Sequence, residues 1–393
     1  MSSLADFQFS DAPMATDRTA GFHYISERGE VFQAKDGTWL LTSPEAVRFA
    51  HRNPEIFSSA KAFGGTGLPV PLIPVAVDPP DHVKYRRILD PMLAPRVINA
   101  MEDELRAQVR ELVEAFASTG SCDIVADIAK LYPTQVFLTL IGLPLEDRDD
   151  LIRWVETMNE NSITGTDEPT PIVVEAAMSL FGYIQQAIDA KRGQTGEDML
   201  SRILSFTGED AWTNEEVVGL CILFTVAGLD TVTGAIGFTM LHLAQNPELR
   251  RQMLADPELI GPVIEEVLRL EPPAPTTPRV TTQEVEVCGV TIPANSPVML
   301  CLATANRGGD RELPDDIDAE HGERGHATFG GGIHRCLGSH LARRELRLVV
   351  EEFHKLIPDY EVAPGVQPKV VWPSSTLHLE SLPLIFPPAG SKQ

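Results

Sequence analysis

The sequence predicts a mainly α-helical chain with small β-sheets (α+β), folded as a single domain. Three observations carry this. A long apolar segment, Thr213 to Asn246, has a start signal and a stop signal of an α-helix. Apart from short β-like runs near the start, the pattern turns β-like after Pro272. Across 393 residues there is no Gly/Ser-rich linker, low-complexity tract or internal repeat. The expected organisation is a flexible tail over 1–20, one domain over 21–387 and a short tail over 388–393.

The elements follow in order. Thr38-Trp39-Leu40-Leu41 reads as a short strand, and Ser43-Pro44-Glu45 opens a helix. Pro and Gly dominate from Gly64 to Pro80, the composition of a loop. From Pro95, the residues Val97, Met101, Leu105, Val109, Leu112, Val113 and Phe116 recur at helical spacing and mark one buried face. More helix is expected through Leu204, with breaks near Gly120, Pro144 and 163–171. Thr213-Asn214-Glu215-Glu216 is a capping box, and Asn246-Pro247 stops the helix it begins. About 32 residues at about 1.5 Å each give a rod of about 48 Å, enough to cross the domain. It is apolar on nearly all sides from Val217 to Phe238, so it belongs in the core. A helix from Leu259 to Leu270, a hairpin over Val285–Ile292, a helix from Gly338 to Leu356 and a proline-rich β-like tail complete the chain.

Composition narrows the function classes. The chain is 43% hydrophobic, enough for a large core, and its net charge is −24. Such a chain repels nucleic acid and anionic membrane surfaces. Five cysteines (Cys122, Cys221, Cys288, Cys301, Cys336) form no C-x-x-C pair. An odd number at these spacings argues against a disulfide framework or a zinc cage and for a reducing compartment. The longest apolar run, Val217 to Leu229, is short of the ~20 residues that span a bilayer. No signal segment or membrane anchor is read, and a cytoplasmic protein is expected.

One stretch points to chemistry: Phe329-Gly330-Gly331-Gly332-Ile333-His334-Arg335-Cys336-Leu337-Gly338. A single cysteine framed by glycines suits a loop that brings a thiolate up to a flat metal cofactor. Glycines let the backbone turn tightly and approach closely, and nearby amides can donate to the sulfur. The bland alternative is a buried free cysteine in a glycine-rich turn. A second signal is Ala227-Gly228-Leu229-Asp230-Thr231, in mid-helix. Gly weakens a helix there, and a Thr hydroxyl bonding backward can open the ladder into a notch with an acid and an alcohol beside it. A third is Glu266 and Arg269, an acid and a base at i,i+3.

The cysteine stretch resembles the haem-ligand loop of the cytochrome P450 family, F-x-x-G-x-H-x-C-x-G, at every fixed position. The likeness extends from about Thr38 to Pro387 and includes the mid-helix pentapeptide and the E-x-x-R pair. Within the family the chain looks closest to the soluble bacterial camphor-hydroxylating branch, on Gly228-Leu229-Asp230-Thr231-Val232, His340-Leu341-Ala342-Arg343-Arg344-Glu345 and Ile73-Pro74 ahead of Asp78-Pro79-Pro80. It departs from that branch at Val70, where a tyrosine would hold camphor, and in Asn306-Arg307-Gly308-Gly309 and Asp316-Ile317-Asp318.

The resemblance implies the cytochrome P450 fold, with haem b (iron protoporphyrin IX) between the long central helix and the cysteine loop. It makes Cys336 the iron ligand and places Phe329, Gly330, Gly338 and Ala227 against the haem. His82, Arg86, Arg279 and His334 would hold the two propionates. Thr231 and Asp230 would serve dioxygen (O2) activation, Asp230 relaying protons. Glu266 and Arg269 would be structural. Val70, Leu72, Leu223, Val226, Pro275, Ser375 and Thr376 are the substrate-pocket candidates, and Met158 to Val174 a mobile lid. The implied activity is monooxygenation of a compact, terpenoid-like hydrophobe, with a steroid or fatty acyl chain as the alternative. A peroxide-driven haem enzyme and a non-catalytic haem protein are further alternatives, and Asp230-Thr231 counts against both. Electrons would come from a ferredoxin with its reductase, docked on a basic patch of Lys84, Arg86, Arg87, Arg335, Arg343, Arg344 and Arg347.

Overall fold

The computed structural model describes residues 7–63, 70–160, 170–308, 315–319 and 325–388. The N-terminal half holds α1 (Arg18–Ser26), β1 (Val31–Gln33), β2 (Trp39–Leu41), α2 (Pro44–Arg52), β3 (Phe57–Ser58) and α3 (Ala60–Phe63). Then come α4 (His82–Met92), α5 (Pro95–Ala100), α6 (Glu102–Phe116), β4 (Ser121–Asp123), α7 (Leu131–Ile141), α8 (Arg148–Glu160), α9 (Pro171–Lys191) and α10 (Met199–Ser205). The second half holds α11 (Asn214–Gln245), α12 (Pro247–Ala255), α13 (Ile260–Leu270), β5 (Thr276–Thr281), β6 (Val285–Val287), β7 (Val290–Ile292) and β8 (Pro297–Cys301). It ends with α14 (Leu302–Ala305), α15 (Ser339–Leu356), β9 (Glu361–Val362) and β10 (Pro383–Ile385).

α11 is the axis of the molecule. Its capping box forms as expected: Glu216 N donates to Thr213 Oγ1 at 3.2 Å, and Thr213 N donates to Glu216 Oε2 at 2.6 Å. The helix runs 32 residues and stops at Asn246. By length and apolarity it could cross a membrane. Here it packs against α7, α9, α13 and α15. Two glycines let loops cross it at van der Waals distance. A Cβ on Gly219 would lie 1.9 Å from Pro71 O, and one on Gly234 2.3 Å from Leu377 O.

The strands stay at the periphery, in a five-stranded sheet of order β1-β2-β8-β5-β3 and a three-stranded sheet of order β4-β10-β9. The expected hairpin is β6–β7. Cys288 and Gly289 take φ of 48° and 77° at its turn, the left-handed pair that a two-residue hairpin loop requires.

Glu266 and Arg269 form a buried fork, with Arg269 Nε and Nη2 each donating to a Glu266 carboxylate oxygen at 2.9 Å. Asp318 N donates to Glu266 Oε2 and Asn306 Nδ2 to Arg269 O, so the pair ties α13 to the segment ahead of the cysteine loop.

The N-terminal expectation needs correction. The described part of the supposed flexible tail is packed: Phe7, Ala12 and Met14 are buried, and Arg18 donates two hydrogen bonds at 2.8 Å to Glu271. The helix expected from Pro95 is two helices, α5 and α6. Most of the supposed lid, 161–169, lies outside the described residues; its flanks belong to α8 and α9.

Candidate active site

The cysteine loop is shaped by what it presses against. Gly330 and Gly332 hold φ of 66° and 61°, values that L side chains rarely adopt. A Cβ on Gly332 would lie 2.0 Å from His51 O, and one on Gly331 2.7 Å from His51 Nδ1. The loop therefore lies flat on α2. Gly330 N donates to Ala327 O at 2.7 Å and Cys336 N to Phe329 O at 2.8 Å. These bonds fold the strand back and aim Cys336 at an interior cavity. Its sulfur lines this cavity and is exposed there. Burial pushes the Cys336 thiol up, opposed by the Gly338 N–H and by Arg86, Arg343 and Arg335. Burial outweighs them, and the free thiol is held above its ordinary value.

The cavity measures about 360 Å3. On one side are Cys336, Leu337, Gly338 and Leu341, and on the other Leu223, Phe224, Ala227, Gly228 and Thr231 of α11. At Gly228 a Cβ would meet nothing, so the missing side chain leaves open space. Thr231 Oγ1 donates to Ala227 O at 2.8 Å. Contrary to the notch expected, the helix runs unbroken through this bond. The space comes from the absent side chain at Gly228.

The acid and the alcohol do not share this cavity. Thr231 lines it; Asp230, the next residue and about 100° further round the helix, lines a second cavity of about 260 Å3. There it meets Thr134, His378, Glu380 and the ion pair of Lys130 with Glu156 at 2.5 Å.

His82, Arg86, Arg279 and His334 all line the first cavity, joined by His51, which the sequence reading missed. The His82 and His334 rings meet edge to face at 4.5 Å. Both Nε2 atoms are buried without a hydrogen-bond partner among the described residues. Arg279 is buried too, donating to Pro278 O at 2.6 Å, and burial brings its pKa down to about 10. Burial and Arg279 lower His51 to about 4 and contribute to lowering His334 to about 3. Arg86 is partly engaged, with Asp90 at 2.8 Å and Arg335 O at 2.7 Å. Two buried imidazole nitrogens without partners and a buried guanidinium without a carboxylate, gathered at one rim of an apolar slot that ends on a cysteine, fit a flat dianionic cofactor with a metal at its centre.

Other expectations shift. Of the seven basic residues foreseen as a docking patch, six are in ion pairs: Lys84 with Glu216, Arg86 with Asp90, Arg87 with Asp210, Arg343 with Glu265, Arg344 with Glu102 and Arg347 with Glu351. Arg335 has no carboxylate partner among the described residues. Of the pocket candidates, Leu223 lines the cavity. Val70 and Leu72 are buried in the core and, like Val226, Pro275, Ser375 and Thr376, are not on its wall. α7 supplies wall residues that read in sequence as plain core: Val136, Phe137 and Leu140. Glu345, named above only within the His340–Glu345 stretch, lines the cavity as well. Its carboxyl is fully buried beside the cavity, with Oε2 unpartnered, and burial holds it well above the usual carboxylate range.

A cysteine aimed across an apolar slot at an unbroken helix, with a buried guanidinium and two unpartnered imidazoles at the rim, fits a haem-thiolate protein. The chain belongs to the cytochrome P450 family, whose model matches residues 28–384, and haem b is that family's cofactor. It is 32% identical over 366 residues to the vitamin D(3) 25-hydroxylase of Pseudonocardia autotrophica, spanning 90% of this chain and 89% of that one. Among solved structures it resembles a mutant of P450 EryK in complex with erythromycin B (TM-score 0.86, 26% identity, 98% and 99% of the two chains). It also resembles P450BioI in complex with an acyl carrier protein ligated to hexadec-9Z-enoic acid (TM-score 0.86, 25% identity, 94% and 99%). The likeness to the camphor branch has no counterpart among these three.

Proposed function

We propose that this cytochrome P450 monooxygenase hydroxylates a compact hydrophobic molecule of terpenoid type, using dioxygen and two electrons from a ferredoxin. The observation that carries the reading is the slot between Cys336 and the Ala227–Thr231 face of α11. Bound there, haem b supplies dioxygen activation. The chain's own residues do the rest. Cys336 donates electron density to the iron. Arg279, His82 and His334 anchor and orient the ring through its carboxylates. Thr231 presents a hydroxyl on the cavity side, and Asp230 meets the polar cavity behind it, so together they carry protons across α11. Leu223, Phe224, Val136, Phe137 and Leu140 exclude water and offer an apolar wall.

A second reading is an extended hydrophobe such as a steroid, favoured by the likeness to the vitamin D(3) hydroxylase. An optical titration of the ferric protein with terpenoids, steroids and fatty acids separates the two. A saturable low-spin to high-spin change in the Soret band with compact terpenoids is the expected result. A response to steroids or long acyl chains alone would overturn the terpenoid assignment. Thr231→Ala tests the proton role: NADH consumption in the reconstituted system should continue while product falls and peroxide accumulates. Unchanged coupling would remove Thr231 from the mechanism. The expectation of a cytoplasmic enzyme stands as part of this proposal.

A further inference from the structure

Behind the cysteine loop lies a second group of charges that propionate binding does not use. Arg343 of α15 stacks on Phe329, its Cζ 4.3 Å from the ring centroid. The same guanidinium forks onto Glu265 of α13, Nε donating to Oε1 at 2.5 Å and Nη2 to Oε2 at 2.8 Å. Its Nη1 donates to Ser339 O at 3.3 Å. His326 Nε2 lies 3.1 Å from Glu265 Oε2, and its ring centroid 5.9 Å from that of Phe329. Phe329 in turn holds the ligand, because Cys336 N donates to its carbonyl. A continuous set of contacts therefore runs from a carboxylate on α13, through a cation on α15 and an aromatic ring, to the thiolate residue.

The charges in this chain are fixed. Burial pushes the Glu265 carboxyl up, but hydrogen bonds from Arg343 and His326 outweigh it and hold its pKa at about 2. Arg343 also acts electrostatically on Cys336, favouring the thiolate. Arg343 acts on the sulfur and Glu265 is bonded to that same guanidinium, so the two bring opposed charges to the metal site.

We propose that Arg343 and Glu265 are positioning residues that clamp Phe329 and, through their opposed charges, set how readily the iron bound to Cys336 accepts an electron. The proposal rests on the haem-thiolate reading above. A cation near the thiolate favours the reduced iron, and an anion disfavours it.

The test is spectroelectrochemical titration of the substrate-free holoprotein, with the ferrous carbonyl Soret band read on each sample to verify thiolate ligation. Arg343→Met keeps most of the stem and removes the positive charge; Glu265→Gln keeps the shape and removes the negative one. The reduction potential should fall in Arg343→Met and rise in Glu265→Gln. Shifts of one sign in both variants, or none in either, would overturn the proposal, since a purely structural brace has no reason to split the signs. Arg343→Lys covers the case in which Arg343→Met fails to retain haem. It keeps the charge, so its potential should stay near that of the parent, and a drop in Arg343→Lys with thiolate ligation intact would also overturn it. A parent protein without a thiolate-type band would instead remove the haem-thiolate reading itself.

Discussion

Nitrogen donors on the two sides of the cysteine loop live under opposite rules. Facing the cavity, Arg279, His82 and His334 turn donors toward a space where no carboxylate of the described residues meets them. Behind and beside the loop, Arg87, Arg343, Arg344 and Arg347 each sit on a carboxylate. A chain of net −24 has carboxylates to spare. Leaving the inner set unmatched therefore marks a place reserved for an anion from elsewhere. A buried donor without an acceptor costs about 1–3 kcal/mol, more for a charged one. The inner rim is thus unfavourable for the chain alone and favourable once a dianion completes it.

The sharpest contrast comes from a buried pair that is complete without any cofactor. Glu271 is buried between Arg18 and His242, with Arg18 Nη2 at 2.8 Å and His242 Nε2 at 3.2 Å. Burial alone would raise its pKa; Arg18 and His242 bring it down to about 2. A carboxyl depressed below its ordinary 4.5 contributes stability that is full above pH 4.5 and is lost as pH falls toward 2. The shift corresponds to roughly 3 kcal/mol. Denaturant unfolding of Glu271→Gln should show a loss of about that size at pH 7 and a much smaller one near pH 2.5. An equal loss at both pH values would show that packing, not charge, holds the N-terminal segment down.

Arg279→Leu should behave in the opposite way. Removing an unmatched buried guanidinium should raise the melting temperature of the apoprotein. The same change should weaken haem binding by about 10- to 100-fold, because one charge-assisted hydrogen bond is worth about 1.5–3 kcal/mol. Apoprotein melting and hemin titration measure the two arms separately. A fall in both would mean that Arg279 braces the fold and would erase the distinction between the two sides of the loop.

Much of this architecture is legible in sequence wherever the constraint is local. The capping box Thr213–Glu216 and the stop at Asn246-Pro247 mark α11 to the residue, because caps satisfy backbone groups within one turn. The cysteine loop is legible for the same reason, its glycines answering local backbone demands. Partnerships across the fold are not. Arg344 finds Glu102 242 residues away and Arg343 finds Glu265 78 away, so a cluster of arginines in sequence looked like a patch. Met14 lies against Gly21 and Arg18 reaches Glu271, 253 residues distant, which a small, polar N-terminal composition does not announce. The pocket failed for a related reason. Its walls depend on where loops cross α11 at Gly219 and Gly234, and glycine in a helix does not say what crosses it.

The smallest effects belong to the outer cations, and they test the proposal that an acidic electron donor docks on this face. Arg87 is largely exposed and paired with Asp210. Exposed pairs of this kind are worth about 0–1 kcal/mol, so Arg87→Ala should move the unfolding free energy by less than about 0.5 kcal/mol. The same variant leaves Asp210 uncompensated, so at low ionic strength it should slow reduction by an acidic ferredoxin slightly. Arg335 is exposed and has no carboxylate partner among the described residues, and Arg335→Ala should slow reduction more than Arg87→Ala does. The dependence of the rate on ionic strength should be shallow in the parent, since few uncompensated charges are available for steering. Stopped-flow reduction across a salt series measures both. A steep dependence that Arg87→Ala flattens would mean that the donor breaks the Arg87–Asp210 pair to dock. The outer cations would then be held in reserve by the protein's own carboxylates until an acidic partner displaces them.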